Sequence, residues 1–445
     1  MSDGASCDLV VVSAFGRGDW LANEFATRGW RVSLLDATAQ LGSFDERDIE
    51  GPFGLLEGAD LYPSQRARLV DEGEFAPVAS GFTLWLPEGP LELRSELTPF
   101  LLRAREIPYD VEAYLRQPDH ETKESERERR ALKRLQYSRS WLAQFAHSIA
   151  SASHHENYIA LEADSVAPLF TQYGLRQLTA AGTAKGAQTS QSLGVQVKSR
   201  VELQEFAFDG KYAVTIKYRD HQNKERAETA RAFVWCLTFE ETKFISDALV
   251  RSLFPQNWPE APWAWQRISF DVTSGAEVAG QPSTDVLSQI PLAAAVFEDV
   301  DLAWTRANLI LLRRREGESR IDAWVKVPTW MRREHEAFDQ VRTEVRENLS
   351  RKLAGASLRE ISSGPTPLIW PIWSQEEFTD LRGKLAPKKS PNVFYDSPGV
   401  WTSLDWMGRF RHENEIVTKL EKLKTQWDAA TRKAEAAAQR RGPRA

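Results

Sequence analysis

Apolar positions along this chain change period several times, and each change marks an element. DLVVV at residues 8–12 is a continuous apolar run, which predicts a strand covered on both faces. GDWLANEFATRG at 18–29 spaces Trp20, Leu21 and Phe25 as on one helix face and stops at Gly29. WRVSLLD at 30–36 is a second strand, and it ends in an acid, Asp36. Strand, helix and strand in about 30 residues form a βαβ unit, so the two strands are expected to be parallel neighbours with a right-handed crossover.

The pattern then loosens. Residues 37–65 read as loop, and residues 75–93 as a hairpin around Pro87-Glu88-Gly89-Pro90. Residues 117–145 are charged and then amphipathic, which predicts a solvated helix. Residues 193–237 alternate by twos and carry an Asp209-Gly210 turn. This predicts an antiparallel meander leading into a buried strand, AFVWCL. Beyond residue 248 come Trp- and Pro-rich loops, a strand pair near 304–327 and an amphipathic helix at 332–354. SPNVFYDSPGVW at 390–401 is a short apolar strand followed by Gly399, and from about residue 408 the chain reads as one long helix. Ile416, Leu420, Leu423 and Trp427 step along it by 4, 3 and 4, a coiled-coil-type seam. Past Trp427 the sequence is Ala- and Arg-rich, and the expectation is a tail extending into solvent, mobile over 431–445, or folding on a partner.

Length changes the picture first. A chain of 445 residues with 42% hydrophobic content supports two domains, one inserted into the other. A net charge of -6 gives no support for a nucleic-acid partner. Cys7 and Cys236 lie far apart and read as small core residues, with no disulfide framework and no metal pattern. No segment reaches the roughly 18 apolar residues of a membrane span, and the first residues lack a signal-peptide pattern, so a cytoplasmic protein is expected. The 16 tryptophans, clustered in WPEAPWAW, WPIW and WTSLDW, predict a core and crevice lined by indoles or an aromatic ligand box. There is no P-loop and no H-E-x-x-H. His154 and His155 read as a surface pair without a metal, and Ser403 lacks the glycines of a nucleophile elbow. No catalytic residue is identified.

The first strand-turn-helix holds the remaining signal. Where a dinucleotide site has G-x-G-x-x-G, this chain has Ser13, Phe15 and Gly18. Seventeen residues separate Gly18 from Asp36. Gly42-Ser43-Phe44 follows six residues later, then SRVELQEF at 199–206, FVWCLTFEE at 233–241 and NVFYDSPGVW at 392–401. In order and spacing this chain resembles the FAD-dependent amine oxidase, phytoene desaturase and protoporphyrinogen oxidase group. The resemblance covers most of the chain at the level of order and is motif-specific only in places.

The resemblance implies an α/β fold: an FAD/NAD(P)-binding Rossmann-like domain with an inserted, discontinuous α+β substrate-type domain and a long C-terminal helix. The nucleotide-type domain would comprise residues 1–65, 155–247 and 386–430, and the substrate-type domain residues 66–154 and 248–385. It also implies roles by position. Ser13, Phe15, Arg17 and Gly18 would line the pyrophosphate turn, Asp36 would take the ribose hydroxyls, and Gly42 would begin the Gly-Gly-Arg equivalent. The Val201 backbone would meet the adenine, and Asp396 the ribityl or pyrophosphate.

The substitutions have physical meaning. The second glycine of the fingerprint lets backbone approach a pyrophosphate, and Phe15 puts a benzyl group there. Gly18, which serves helix–strand packing, is kept. Phe15 is therefore expected to be buried against Gly42-Ser43-Phe44, with Arg17 either solvent-facing or supplying charge for an anion. The reading is a degenerate flavin-oxidoreductase-like scaffold, a pseudoenzyme, that does not bind FAD in the usual pose and acts as a non-catalytic binding or assembly protein. A protein partner would dock through the C-terminal helix or the Trp-rich crevice. The alternative is an FAD- or NAD(P)-dependent oxidoreductase of the amine oxidase type with an altered cofactor site, and a third reading is a protein that binds an apolar ligand in the old substrate cavity.

Overall fold

The computed structural model describes residues 7–42, 190–274, 309–314, 319–353, 356–361, 370–373, 375–385, 390–401 and 405–441, together with short strands at 55–56, 75–77, 82–86, 89–93, 175–178 and 292–296. Residues 43 and 44, the 117–145 helix and the His154-His155 pair lie outside the described residues.

The first sheet grows from the apolar run at the N-terminus. β1 (Cys7–Ser13) is fully buried along Leu9, Val10, Val11 and Val12 and pairs in parallel with β2 (Val32–Asp36). Helix α1 (Asp19–Thr27) joins them, as the sequence predicts. On the other side β1 pairs in parallel with the last half of β11 (Glu225–Trp235), and β11 pairs in parallel with β18 (Val393–Tyr395). The first half of β11 continues antiparallel into β10 (Tyr212–Arg219) and β9 (Glu202–Asp209), and Gly210 turns between those two at φ +59°. One part of the expected meander behaves differently. β8 (Gln196–Lys198) leaves it and pairs in parallel with β2, because Arg200 at φ +55° redirects the chain before β9.

Alternate residues of these strands bury two separate cores. Leu9, Val11, Leu34 and Val234 face α1 and the long helix α6 (Asp405–Arg441), meeting Leu21, Phe25, Ile416, Val417 and Leu420. Val10, Val12, Leu35 and Trp235 face the meander and α3 (Asp247–Leu253). Along the α6 seam Ile416 and Leu420 are buried, whereas Leu423 and Trp427 are half-buried against the same core. The helix runs on to Arg441.

The second sheet has the order β16-β12-β15-β14-β13-β5-β6, with β17 (Pro371–Ile372) also on β12. Its centre is the antiparallel trio β12 (Trp263–Ser274), β15 (Arg320–Pro328) and β14 (Leu309–Arg314). β16 (Ala356–Glu360) flanks β12 and β13 (Leu292–Val296) flanks β14. The hairpin expected within 75–93 forms as β5 (Phe82–Leu86) and β6 (Gly89–Leu93) and joins this sheet through β13. One face packs on helix α4 (His335–Lys352): Ile268, Phe270, Ile310, Leu312, Ala323 and Val325 meet Val341, Val345 and Leu349. Two-residue β3 (Leu55–Leu56), β4 (Phe75–Pro77) and β7 (Leu175–Leu178) make a third, small sheet.

Candidate functional site

β1 and β11 are parallel neighbours whose following segments leave toward opposite faces. α1 packs on one core, while α2 (Phe239–Ile245) and α3 pack on the other. Such a divergence is a topological switch point, and the crevice beyond the strand ends is where open α/β sheets bind ligands. Ser13, Asp36, Trp235 and Asp396 all stand at that edge.

In this chain the polar groups at that edge bond one another. Phe15 has φ +54° and Gly16 φ +74°, so the turn out of β1 is left-handed at a bulky residue, which costs of order 1–2 kcal/mol. The amides of this loop have acceptors at home. Phe15 N–H donates to Thr38 Oγ1 at 2.7 Å, Arg17 N–H to the Ala14 carbonyl at 3.1 Å, Gly18 N–H to Ser13 Oγ at 2.8 Å, and Asp19 N–H to the Gly16 carbonyl at 3.2 Å. Two side-chain hydroxyls thus take donors that a phosphate would need. Gly18 is required by packing: a Cβ there would sit 2.6 Å from Val11 Cγ1 and 2.9 Å from Ser13 Cβ.

Arg17 corrects the sequence-based expectation. It is 1% exposed, not solvent-facing, and its cation is taken: Nη2 pairs with Glu241 Oε1 at 2.6 Å. This buried pair spans the crevice from the end of β1 to the start of α2. Glu241 is fixed there by a capping box, accepting from Thr238 N–H at 2.8 Å while Thr238 Oγ1 accepts from Glu241 N–H. Arg409, on the first turns of α6, donates to the Arg17 carbonyl and pairs with Glu413 Oε1 at 2.7 Å. Its guanidinium lies over the Trp20 and Trp401 rings, at 5.0 and 5.9 Å from the centroids.

The remaining expected positions fall as follows. Asp36 Oδ1 accepts from Thr38 N–H at 3.0 Å and Thr38 Oγ1 at 2.5 Å, an Asx turn that holds the loop carrying Thr38. Val201 is buried, and its N–H is turned to the Asp36 carbonyl at 3.1 Å rather than outward. Gly42 is exposed, outside this network. Phe15 is half-buried and packs on the meander-side core; its ring lies 5.8 Å from the Arg17 guanidinium, and the loop expected to cover it lies beyond the described residues from Ser43. Asp396 is 1% exposed, and its Oδ1 accepts from Trp401 Nε1 at 2.7 Å. Of the expected positions, Arg17 Nη1 and Asp396 Oδ2 are buried without a hydrogen-bond partner.

Glu241, Thr38, Arg409 and His412, whose Nε2 lies 2.7 Å from the Tyr395 carbonyl, were not read as site residues from the sequence. For Glu241 a signal existed, the Thr-x-x-Glu capping box at 238–241. Arg409 and Glu413 are an i,i+4 pair, common on any helix, so no local pattern marks them. Burial holds His412 toward its neutral form and pushes the Cys236 thiol up, so neither adds charge to the crevice. Two buried ion pairs, Arg17–Glu241 and Arg409–Glu413, and the Trp401–Asp396 hydrogen bond stand around it. At the approach position of the fingerprint this chain has the Phe15 side chain, and the neighbouring loop amides are already bonded within the chain. No group of acids, histidines and cysteines among the described residues has the arrangement of a metal site. No helix among them is long and apolar enough to cross a membrane.

Comparison with known proteins places the architecture. No protein-family profile matches the chain, and no curated protein matches it. Solved structures do match. A putrescine oxidase redesigned in cofactor binding is 10% identical over 94% of this chain and 99% of its own, with a TM-score of 0.53. An oxidoreductase from Methanosarcina mazei is 12% identical over 92% of this chain and 100% of its own, at 0.51. A geranylgeranyl bacteriochlorophyll reductase-like protein from Thermoplasma acidophilum is 10% identical over 94% and 79%, at 0.50. This chain therefore has the Rossmann-like fold of the FAD-binding flavoprotein oxidoreductases.

Proposed function

We propose that this protein is a flavin-oxidoreductase-like scaffold that does not hold FAD in the usual pose and acts as a non-catalytic binding or assembly protein. The observation that carries the reading is the buried Arg17–Glu241 pair across the switch point. It places a carboxylate of the chain in the crevice where this fold type receives an anionic ligand, and it neutralises the cation closest to the α1 turn. Hydroxyl acceptors from Ser13 and Thr38 complete the closure. Removing either member of the pair would leave a buried charge, so opening the crevice is unfavourable.

A second reading has its own observation. Arg17 Nη1 and Asp396 Oδ2 are buried without partners, and a ligand could supply both. That favours an FAD- or NAD(P)-dependent oxidoreductase with an altered cofactor site. The test is direct. The purified full-length chain should lack the visible flavin absorption band and should bind neither FAD nor NADPH in a micromolar titration. Stoichiometric flavin in the purified protein overturns the scaffold reading in favour of the oxidoreductase.

A further inference from the structure

A cavity of about 630 Å³ opens between the end of β8 and the β10–β11 hairpin. That volume lies in the range of small-molecule sites. Val197, Val201 and the Tyr218 ring give it an apolar wall, and most of the rest of its lining is polar. Arg17, Asp36, Glu241 and Asp396 take no part in it. Its two sides each carry a left-handed residue that is not glycine: Arg200 at φ +55°, just before Val201, and Asn223 at φ +60°, in the hairpin turn. Asparagine tolerates this conformation, whereas an arginine held in it is the kind of local strain that concentrates at binding sites.

The formal charges of the lining cancel. Lys198 and Arg226 bring two cations, Asp220 and Glu228 two acids, and His221 stands exposed beside them. Hydrogen-bonding capacity does not cancel. Asp220 Oδ1 accepts from Gln222 N–H at 2.9 Å and Lys224 N–H at 3.0 Å, and Oδ2 from Arg226 Nε at 2.9 Å. These bonds hold its carboxyl down at about 2, so it stays ionised and committed. Glu228 Oε1 accepts from Tyr218 Oη at 3.4 Å, and burial together with that carboxylate pushes the phenol up to about 12, so it keeps the proton it donates. The donors are differently placed. No hydrogen bond or ion pair joins the side chain of Lys198 or His221 to another described residue, and among those residues Arg226 spends only Nε, on Asp220. Lys198 is nonetheless half-buried.

We infer that this cavity binds a small organic monocarboxylate, its acid group accepting from Lys198 Nζ and the Arg226 Nη groups and its compact apolar body lying on Val197, Val201 and Tyr218. Uncommitted donors beside committed acceptors select a ligand that accepts, and the flat guanidinium suits a carboxylate. Cancelling charges favour one negative charge over two, because a dianion would face Asp220 and Glu228 with no surplus cation. The cavity shares no residue with the Arg17–Glu241 pair. A flavin band in the purified protein would therefore overturn the scaffold reading without deciding this one.

The experiment is a ligand-observed NMR titration of the full-length protein with benzoate, neutral benzamide and dianionic phenyl phosphate. Benzoate should bind at one saturable site, at least about tenfold tighter than benzamide, the equivalent of one charge-assisted hydrogen bond. Phenyl phosphate should bind no tighter than benzoate, and adenosine monophosphate should not displace it. Lys198→Gln should weaken benzoate about tenfold with the melting temperature held, since the side chain has no partner in the fold to lose, and Lys198→Arg should keep most of the affinity. Arg226→Gln should weaken it about fivefold. Absence of a saturable site, equal affinity for benzamide, tighter binding of phenyl phosphate, displacement by adenosine monophosphate, or unchanged affinity in Lys198→Gln overturns the inference.

Discussion

Two buried polar regions of this molecule meet opposite fates. At the switch-point crevice nearly every donor is matched from within: loop amides by Ser13 and Thr38, Arg17 by Glu241, and Arg409 by Glu413. On the inner face of the second sheet, two indole N–H groups remain without acceptors. Both regions are equally removed from water, so burial alone does not explain the difference. The crevice is built from chain segments that can cross-link one another, a strand end, a capped helix and the start of α6. The sheet face is a rigid ladder whose side chains are held in register and cannot fold back on their own acceptors. Chain segments that converge from several elements can thus satisfy one another, whereas strand register can leave a buried donor without an acceptor.

The largest test of this contrast is Glu241→Ala. It strips the partner from a cation that is 1% exposed, and should cost about 3–5 kcal/mol in a denaturant melt. Pairing Arg17→Met with Glu241→Leu should recover most of the loss, because an apolar pair of similar volume removes the uncompensated charge. If Glu241→Ala alone is neutral, the crevice is not closed by this pair.

Next comes Gly18→Ala. The added methyl would meet Val11 at 2.6 Å, inside the close contact of α1 on β1, so a loss of about 1–3 kcal/mol is expected in the same melt. A smaller cost would mean that α1 can lift off the sheet, and the crevice with it.

Glu240, in the first turn of α2 beside Glu241, adds a test through pH. Burial pushes its carboxyl up to about 7, with Arg332 partly opposing the shift. The folded chain thus holds this proton more tightly than the unfolded chain does. The stabilisation from that proton is complete below the ordinary value of 4.5 and is lost as pH rises to about 7. Glu240→Gln cannot ionise. It should match wild type near about pH 4 and exceed it above about pH 7 by on the order of 1 kcal/mol, after allowing for the partial solvent access of the site. Identical pH–stability curves for the two proteins would show that burial does not raise the Glu240 carboxyl.

Trp324→Phe should have the smallest effect, within about 1 kcal/mol of wild type by thermal melt, because the N–H it deletes has no partner to lose. A large loss would show that the indole N–H is satisfied inside the fold, and would erase the contrast with the crevice.

Much of the architecture was legible from periodicity. The apolar run at 8–12, the 3.6-residue spacing before Gly29 and the acid at Asp36 fix the parallel βαβ unit, since strands buried on both faces and a one-sided helix leave few other arrangements. The seam at Ile416 and Leu420 likewise fixes which side of α6 meets the sheet. The loss of the fingerprint at Ser13 and Phe15 was legible too, because each glycine in it has a separate physical task, and Gly18 kept the packing one. Other facts were not local. The strand at 196–198 joins β2 instead of the meander because one residue, Arg200, takes a positive φ that alternation does not encode. Arg17 looked like a surface cation in a loop; it is buried because Glu241, 224 residues away in sequence, reaches it across the switch point. That Arg267, Arg313 and Lys326 share one face of the second sheet is invisible along the chain, where these residues are scattered among unrelated neighbours. Sequence determines which positions are apolar and with what period, and so the elements and their faces. Only strand register and helix docking decide which polar groups meet, because a buried charge or donor is stable or costly according to partners that the chain brings in from far away.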